Sequence, residues 1–195
     1  GVTLYETVLG FVLGTAAGTL IAITLWWSPA INRVLDPYLV VLNALPKIAL
    51  GPILIVWFGA GITSIIVMAL LISFVVTIMS VLAGFNEITG EKQLLMKTLG
   101  ASKLQIFTMV VLPASLPTIM NALKISVGMS WVGVIVGEYL VSKAGLGYLI
   151  VYGGQVFKLD LVMASIVVLC LLAALMYYGV AYMEKKLVRW RMHGG

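Results

Sequence analysis

Apolar positions in this chain neither alternate nor keep to one helical stripe; they run on. Residues 8–27, 62–85 and 161–183 contain no Asp, Glu, Lys, Arg or His. A helix needs about 20 mostly apolar residues to cross the hydrocarbon core. Two further runs are apolar but punctuated. Residues 38–58 carry Pro46, Lys47 and Pro52, and residues 119–140 hold Lys124 near one end and Glu138 near the other. The pattern predicts five spans, at 8–27, 38–58, 62–85, 119–140 and 161–183, with the second bent or broken at its prolines. The fold class expected is therefore an all-α integral-membrane protein, a polytopic helical bundle forming one transmembrane domain over residues 1–195. Composition agrees. The chain is 62% hydrophobic and only 10% charged, against about 25% charged in soluble domains.

The net charge of +5 does not point to nucleic acid, because the cations sit between and after the apolar runs. That is a topology signal: Lys and Arg concentrate on the cytoplasmic side. The tail, residues 184–195, carries Lys185, Lys186, Arg189 and Arg191, which places it inside. Counting back, 141–160 lies outside, 86–118 inside, 59–61 outside and 28–37 inside. The inner segments then also hold Arg33, Lys92, Lys97 and Lys103, and the outer ones only Lys143 and Lys158. The first residue would lie outside, so a cytoplasmic start requires one further helix upstream. The first run lacks a basic n-region and a cleavage site, so it is not a signal peptide. The one cysteine, Cys170, lies in an apolar run and is expected as a small buried hydrophobe; His193 stands alone in the tail. No metal site is expected.

Trp26, Trp27, Trp57 and Tyr139 fall at span ends, where amphipathic rings favour the headgroup layer. Gly10, Gly14 and Gly18 recur every fourth residue, a spacing that lets a second helix backbone approach closely. The inner loop, 86–118, has its own helical grammar. Good helix formers follow Gly90, and Gly100 is placed to end that helix in a left-handed cap. Ser102 with Gln105 reads as a capping box opening a second helix, expected to end near Pro113 and Pro117. Leu94, Leu95, Thr98 and Leu99 share one face of the first helix. Apolar side chains on a cytoplasmic protrusion suggest a protein partner, with a helix resting on the bilayer surface as the alternative.

These residues resemble the permease subunits of bacterial ABC importers. Their loop signature runs Glu-Ala-Ala, three residues, Gly, nine residues, then Ile-x-Leu-Pro. Here Gly100 is followed after nine residues by Val110-Val111-Leu112-Pro113, and Leu99-Gly100-Ala101-Ser102 is similar to the usual wording. Leu94-Leu95-Met96 stand where Glu-Ala-Ala is usual, with Glu91 one turn earlier. Leu45-Pro46, Gly51-Pro52, Ile55-Val56-Trp57-Phe58-Gly59, and Glu138-Tyr139-Leu140 with Gly145-Leu146-Gly147-Tyr148-Leu149-Ile150 resemble the sulfonate, taurine and nitrate permease group. The resemblance implies an ATPase-coupling site at Glu91, Leu94, Leu95, Met96, Leu99, Gly100, Ala101, Ser102, Leu112 and Pro113. It implies two permease copies, a pair of cytoplasmic ATPase subunits, an extracytoplasmic solute-binding protein and a bacterial inner-membrane location. No cofactor is expected in this chain, since it lacks a phosphate-cradling Gly-x-x-x-x-Gly-Lys loop; ATP and Mg²⁺ would belong to the partner.

Polar groups within spans are candidates for the path or gate. Lys47 faces a vestibule or anchors a broken helix, and Glu138 serves a gate or orients its helix, with an interface-exposed position near its span end as the alternative. Lys124 snorkels to the inner surface, while Asn43, Ser126, Ser130 and Thr77 line the path or bond between helices. No catalytic constellation exists, so the chain is not itself expected to be an enzyme. A secondary transporter or channel is the alternative function. It would need paired acids or broken helices related by internal repeats, and Glu138 is the only acid this reading embeds in a span.

Overall fold

The computed structural model describes residues 1–88 and 90–188, and of Glu91 the backbone alone. The Glu91 side chain, Arg189, Arg191 and His193 lie outside the described residues. The described chain is helical throughout: α1 (Val2–Trp27), α2 (Pro29–Ala44), a 3₁₀ turn (Lys47–Leu50), α3 (Gly51–Phe58), α4 (Ile62–Asn86), α5 (Gly90–Thr98), α6 (Lys103–Ile106), α7 (Leu112–Val141), α8 (Leu146–Gln155) and α9 (Leu159–Val188). A π turn over Phe107–Val111 joins α6 to α7. Among the described residues four helical stretches are long and apolar enough to cross a membrane, or five if the bent α2–α3 pair counts as one span.

The second run departs from the expected form. Residues 28–37 were expected as a connection, yet they are helical. Ser28 accepts the Ile31 N–H, and Pro29 occupies the first turn, where its missing N–H costs nothing. The chain then turns by 85° between α2 and the 3₁₀ turn. Leu45 is extended, at φ −60° and ψ 133°, because a following proline disfavours helical backbone. Lys47 sits at this bend and donates to the Asn43 carbonyl oxygen at 3.2 Å, a cation on the negative end of α2. That is the anchoring geometry; Asn43 is exposed and Lys47 half-buried.

The prolines of the inner loop do not end a helix. From Lys103 to Val141 the chain forms one 39-residue helical stretch. The Leu112 N–H reaches back five residues to the Phe107 carbonyl. The widened turn makes room where the Pro113 ring would meet the carbonyl of the preceding turn. Pro117 follows inside α7.

α4 sits between α1 and α7 and organises the bundle. Gly10, Gly14 and Gly18 face Ala69, Ser73 and Thr77 in parallel register. A Cβ on Gly10 would lie 2.6 Å from that of Ala69, one on Gly18 would lie 2.9 Å from the Thr77 Cβ, and one on Gly14 would overlap Ser73 Oγ. On the other side Gly133 meets Ala69 and Gly137 meets Ile65, in antiparallel register. The small-residue face is thus a helix contact, as its spacing predicts. Thr77 Oγ1 and Ser126 Oγ are 2.7 Å apart across the α4–α7 seam, both fully buried, so these two bond between helices. Interhelical hydrogen bonds in membranes average about 0.6 kcal/mol, so Thr77→Val is expected to lower stability by about that amount in mixed-micelle unfolding.

α9 packs on α7 and α8 yet leaves nearly all its apolar surface outward. Cys170 is therefore exposed on this helix, not buried as its apolar neighbours suggested. Lys124 does not snorkel freely; its Nζ pairs with Glu184 Oε2 at 2.9 Å. Residues 141–160, expected as an outer segment between spans, contain α8.

Candidate functional site

The end of the bundle where α1 stops and α5 packs gathers the predicted coupling residues. α5 ends in a full Schellman motif: Gly100 adopts φ +81°, its N–H bonds to the Lys97 carbonyl, and the Ala101 N–H bonds to that of Met96, both at 3.0 Å. No atom of the described residues lies within 4 Å of a Cβ built on Gly100, so the left-handed backbone is what makes glycine fit. The next helix opens at once. Ser102 N–H donates to Gln105 Oε1 at 2.8 Å, and Gln105 N–H to Ser102 Oγ at 3.3 Å, the reciprocal capping box.

These caps fix α5 against the bundle while leaving one face bare. Met96 and Ala101 pack on a core of Phe85, Ile106 and Phe107. Leu94, Leu95 and Leu99 are 62%, 62% and 75% exposed. Behind them lies a cavity of about 380 Å³, lined by Trp26, Asn32, Asn86, Gln93, Lys97 and Lys103 among others. Lys103 ties this end together. Its Nζ donates to the Trp27 carbonyl at 2.5 Å and lies 5.5 Å from the centroids of both Trp26 and Trp27. Trp26 packs on Phe107 at 4.9 Å, so it builds this core rather than serving only as a headgroup anchor. Leu112 and Pro113 stand one helical segment away, at the start of α7, and do not join the exposed face.

The remaining predicted polar residues are scattered. Asn43 and Lys47 are at the α2–α3 bend, and Ser130 is buried in α7 with an Oγ that has no partner among the described residues. Glu138 is 1% exposed near the C-terminal end of α7, which rules out an interface-exposed position. It is also not the only acid embedded in a span. Glu6 of α1 is equally buried, and the expected span start at residue 8 left it outside. The signal was present in the spacing: Glu6 falls four residues before Gly10, on the face that continues through Gly14 and Gly18.

Comparison with known proteins agrees with this geometry. Residues 10–189 match the family described as binding-protein-dependent transport system inner membrane component. The taurine transport system permease protein TauC of Escherichia coli K12 is 32% identical over 177 residues, 91% of this chain and 64% of that protein. A probable ABC transporter permease protein of Haemophilus influenzae is 34% identical, covering 96% of this chain and 76% of that one. The formylaminopyrimidine transport permease protein ThiX of Halalkalibacterium halodurans is 31% identical over 94% of this chain and 73% of its own length. The chain thus spans just under two thirds of the taurine relative. Among solved structures, an inward-facing form of the MetNI methionine ABC transporter superposes with TM-score 0.75 at 22% identity, covering 95% of this chain and 91% of that one; this likeness is one of fold. A multi-pass helical bundle, a Gly100-capped loop helix at the family spacing and a family match over nearly its whole length together mean that the chain belongs to the ABC transporter permeases of the binding-protein-dependent inner-membrane family.

Proposed function

We propose that this chain is the transmembrane permease subunit of an ATP-driven importer in a bacterial inner membrane. Its cargo is a small solute of the sulfonate, taurine, nitrate or vitamin-precursor kind. A second permease copy completes the path, an extracytoplasmic binding protein delivers the solute, and a pair of cytoplasmic ATPase subunits supplies the energy with their own ATP and Mg²⁺. The observation that carries the reading is α5. A helix capped at both its exit and the next entry, and bare on its Leu94–Leu95–Leu99 face, suits a groove on a protein partner. Closure of the ATPase pair would then move α5 and the helices packed behind it, alternating the access of the spans.

An ion-coupled transporter has one observation in its favour, the buried Glu6 and Glu138. Coupling-ion sites lie near the bilayer midplane between repeats, whereas this pair sits at one end of the bundle and receives a backbone N–H. Proteoliposomes separate the two readings. Uptake is expected only with the ATPase, ATP and a loaded binding protein; transport by the chain alone, driven by an ion gradient without ATP, would refute the importer. The ligand co-purifying with the binding protein then names the solute.

A further inference from the structure

The cavity behind α5 is a joint between helices. α1 and α2 wall it through Trp26 and Asn32, α4 through Asn86, α5 through Gln93 and Lys97, and α6 through Lys103. At about 380 Å³ it falls in the range of small-ligand sites, about 300–1,000 Å³. Its chemistry is one-sided. Two ammonium groups and three amides line it, and among the described residues no Asp or Glu does. Neither Lys97 nor Lys103 has an ion pair among those residues. Glu87, next in sequence to Asn86, accepts from Thr118 Oγ1 at 3.2 Å instead.

Lys103 is held ready for an anion. Its Nζ donates to the Trp27 carbonyl and lies against the Trp26 and Trp27 rings. That bond takes one of three ammonium hydrogens, so the cation is fixed in place with donors to spare. Asn32 supplies a second, independent observation. Its Oδ1 is buried without a partner among the described residues, a costly arrangement for a polar atom. Half a turn about the last torsion puts the NH₂ in its place, so the amide can serve an anion or a hydroxyl.

Two ammonium groups repel a metal cation. An apolar ligand would desolvate both cations and the amides without pairing them. Phosphate oxygens suit this lining, because charge-assisted hydrogen bonds to phosphate are the strong ones. On the orientation that the cation distribution implies, this end meets the cytoplasmic leaflet. Tryptophan pairs such as Trp26 and Trp27 favour the headgroup layer, and basic pockets between spans on that side take acidic headgroups.

We propose that this cavity is an anion site for a phosphate group, that of an acidic phospholipid headgroup or free phosphate, and that the bound anion ties α5 to α1 and α2. It rests on the cavity and not on the ATPase or the solute, so it stands or falls apart from the importer reading. Native mass spectrometry of the delipidated full chain tests it with dioctanoyl phosphatidylglycerol, dioctanoyl phosphatidylcholine and inorganic phosphate. The glycerol lipid should bind about tenfold more tightly than the choline lipid. Lys97→Gln should weaken that binding about fivefold. Lys92→Gln, on the same helix but outside the lining, should leave it unchanged. Hydrogen exchange reads the tie. Glycerol lipid at about four times its Kd should slow amide exchange over residues 94–99 about fivefold in the parent, and less than about twofold in Lys97→Gln at the same concentration. A phosphate adduct that Lys97→Gln removes, with no preference between the lipids, assigns the site to the free anion. Equal binding of both lipids with no phosphate adduct overturns the proposal and leaves the cavity to solvent or to an acidic side chain of a docked partner. Equal loss in Lys92→Gln and Lys97→Gln, or binding that leaves the exchange of α5 unchanged, overturns it as well.

Discussion

Leu95→Asp is expected to abolish ATP-dependent uptake and to release the ATPase from the purified complex, with membrane insertion unchanged. Leu95 is 62% exposed on α5 and makes no contribution to the bundle core, so an aspartate there leaves the free permease intact. In a docked groove the same carboxylate loses its water and gains no partner, a penalty of about 3 kcal/mol, or a hundredfold in affinity. Gly100→Val reaches the same end by another route. The φ of +81° is strained for a β-branched side chain by about 1–3 kcal/mol, so α5 should exit at a different angle while its leucines remain. Binding of the loaded binding protein should survive in both variants, because both residues lie at the end of the bundle away from Glu138 and α8. The measurement is co-purification of the ATPase together with uptake. If both variants retain the ATPase and transport normally, α5 is not the docking element. A helix that merely rests on the bilayer would be disturbed by Leu95→Asp too, but it gives no cause for ATPase loss.

The second large effect is expected at Gly133. A Cβ there would lie 2.5 Å from the Ala69 Cα and 3.0 Å from its N, so the obstacle is backbone and cannot rotate aside. Ala69 is at the same time pressed by Gly10 from α1. Gly133→Val must therefore drive α4 from α7 or α4 into α1, and it opens the Thr77–Ser126 bond about two turns away. Overpacking of this kind costs about 3 kcal/mol or more. Gly128→Ala in the same helix is the control. Nothing lies within 4 Å of its built Cβ, and replacing a helical glycine should gain up to about 1 kcal/mol. Mixed-micelle unfolding of the two variants should differ in sign, and equal stability would show that the seam is looser than its distances indicate.

What the sequence made legible is local. The Gly100 cap, the Ser102–Gln105 box and the glycine face of α1 each follow from a few neighbouring residues whose backbone demands are nearly independent of the rest. What it concealed depended on distant partners. Pro113 and Pro117 read as a stop because a proline removes an N–H, and only the π turn ahead of Pro113 shows how the helix continues. Residues 28–37 carry Asn32, Arg33 and Asp36, so their polarity masked a helix lying at the inner end. Glu6 was excluded by a hydropathy boundary, although its place on the glycine face marked it as inward. Lys124 gave no hint of Glu184, sixty residues on. Cys170 misled because in lipid an apolar neighbourhood says nothing about which side of a helix faces the protein.

The unbroken stretch from Lys103 to Val141 sets the mechanical scale of the molecule. Lys103 grips the end of α1 beside α5, while Glu138, thirty-five residues later, grips α8. At about 1.5 Å per residue the two grips are roughly 50 Å apart along one rod. A tilt of about 10° about one end therefore sweeps the other through about 9 Å, roughly twice the width of a methyl group. The π turn and two prolines sit within fifteen residues of the inner grip, so whatever bending the rod permits is concentrated there and the arm beyond moves stiffly. A small rotation of the docking helix thus arrives at the far surface as a large translation, with the compliance placed at the end where force would enter.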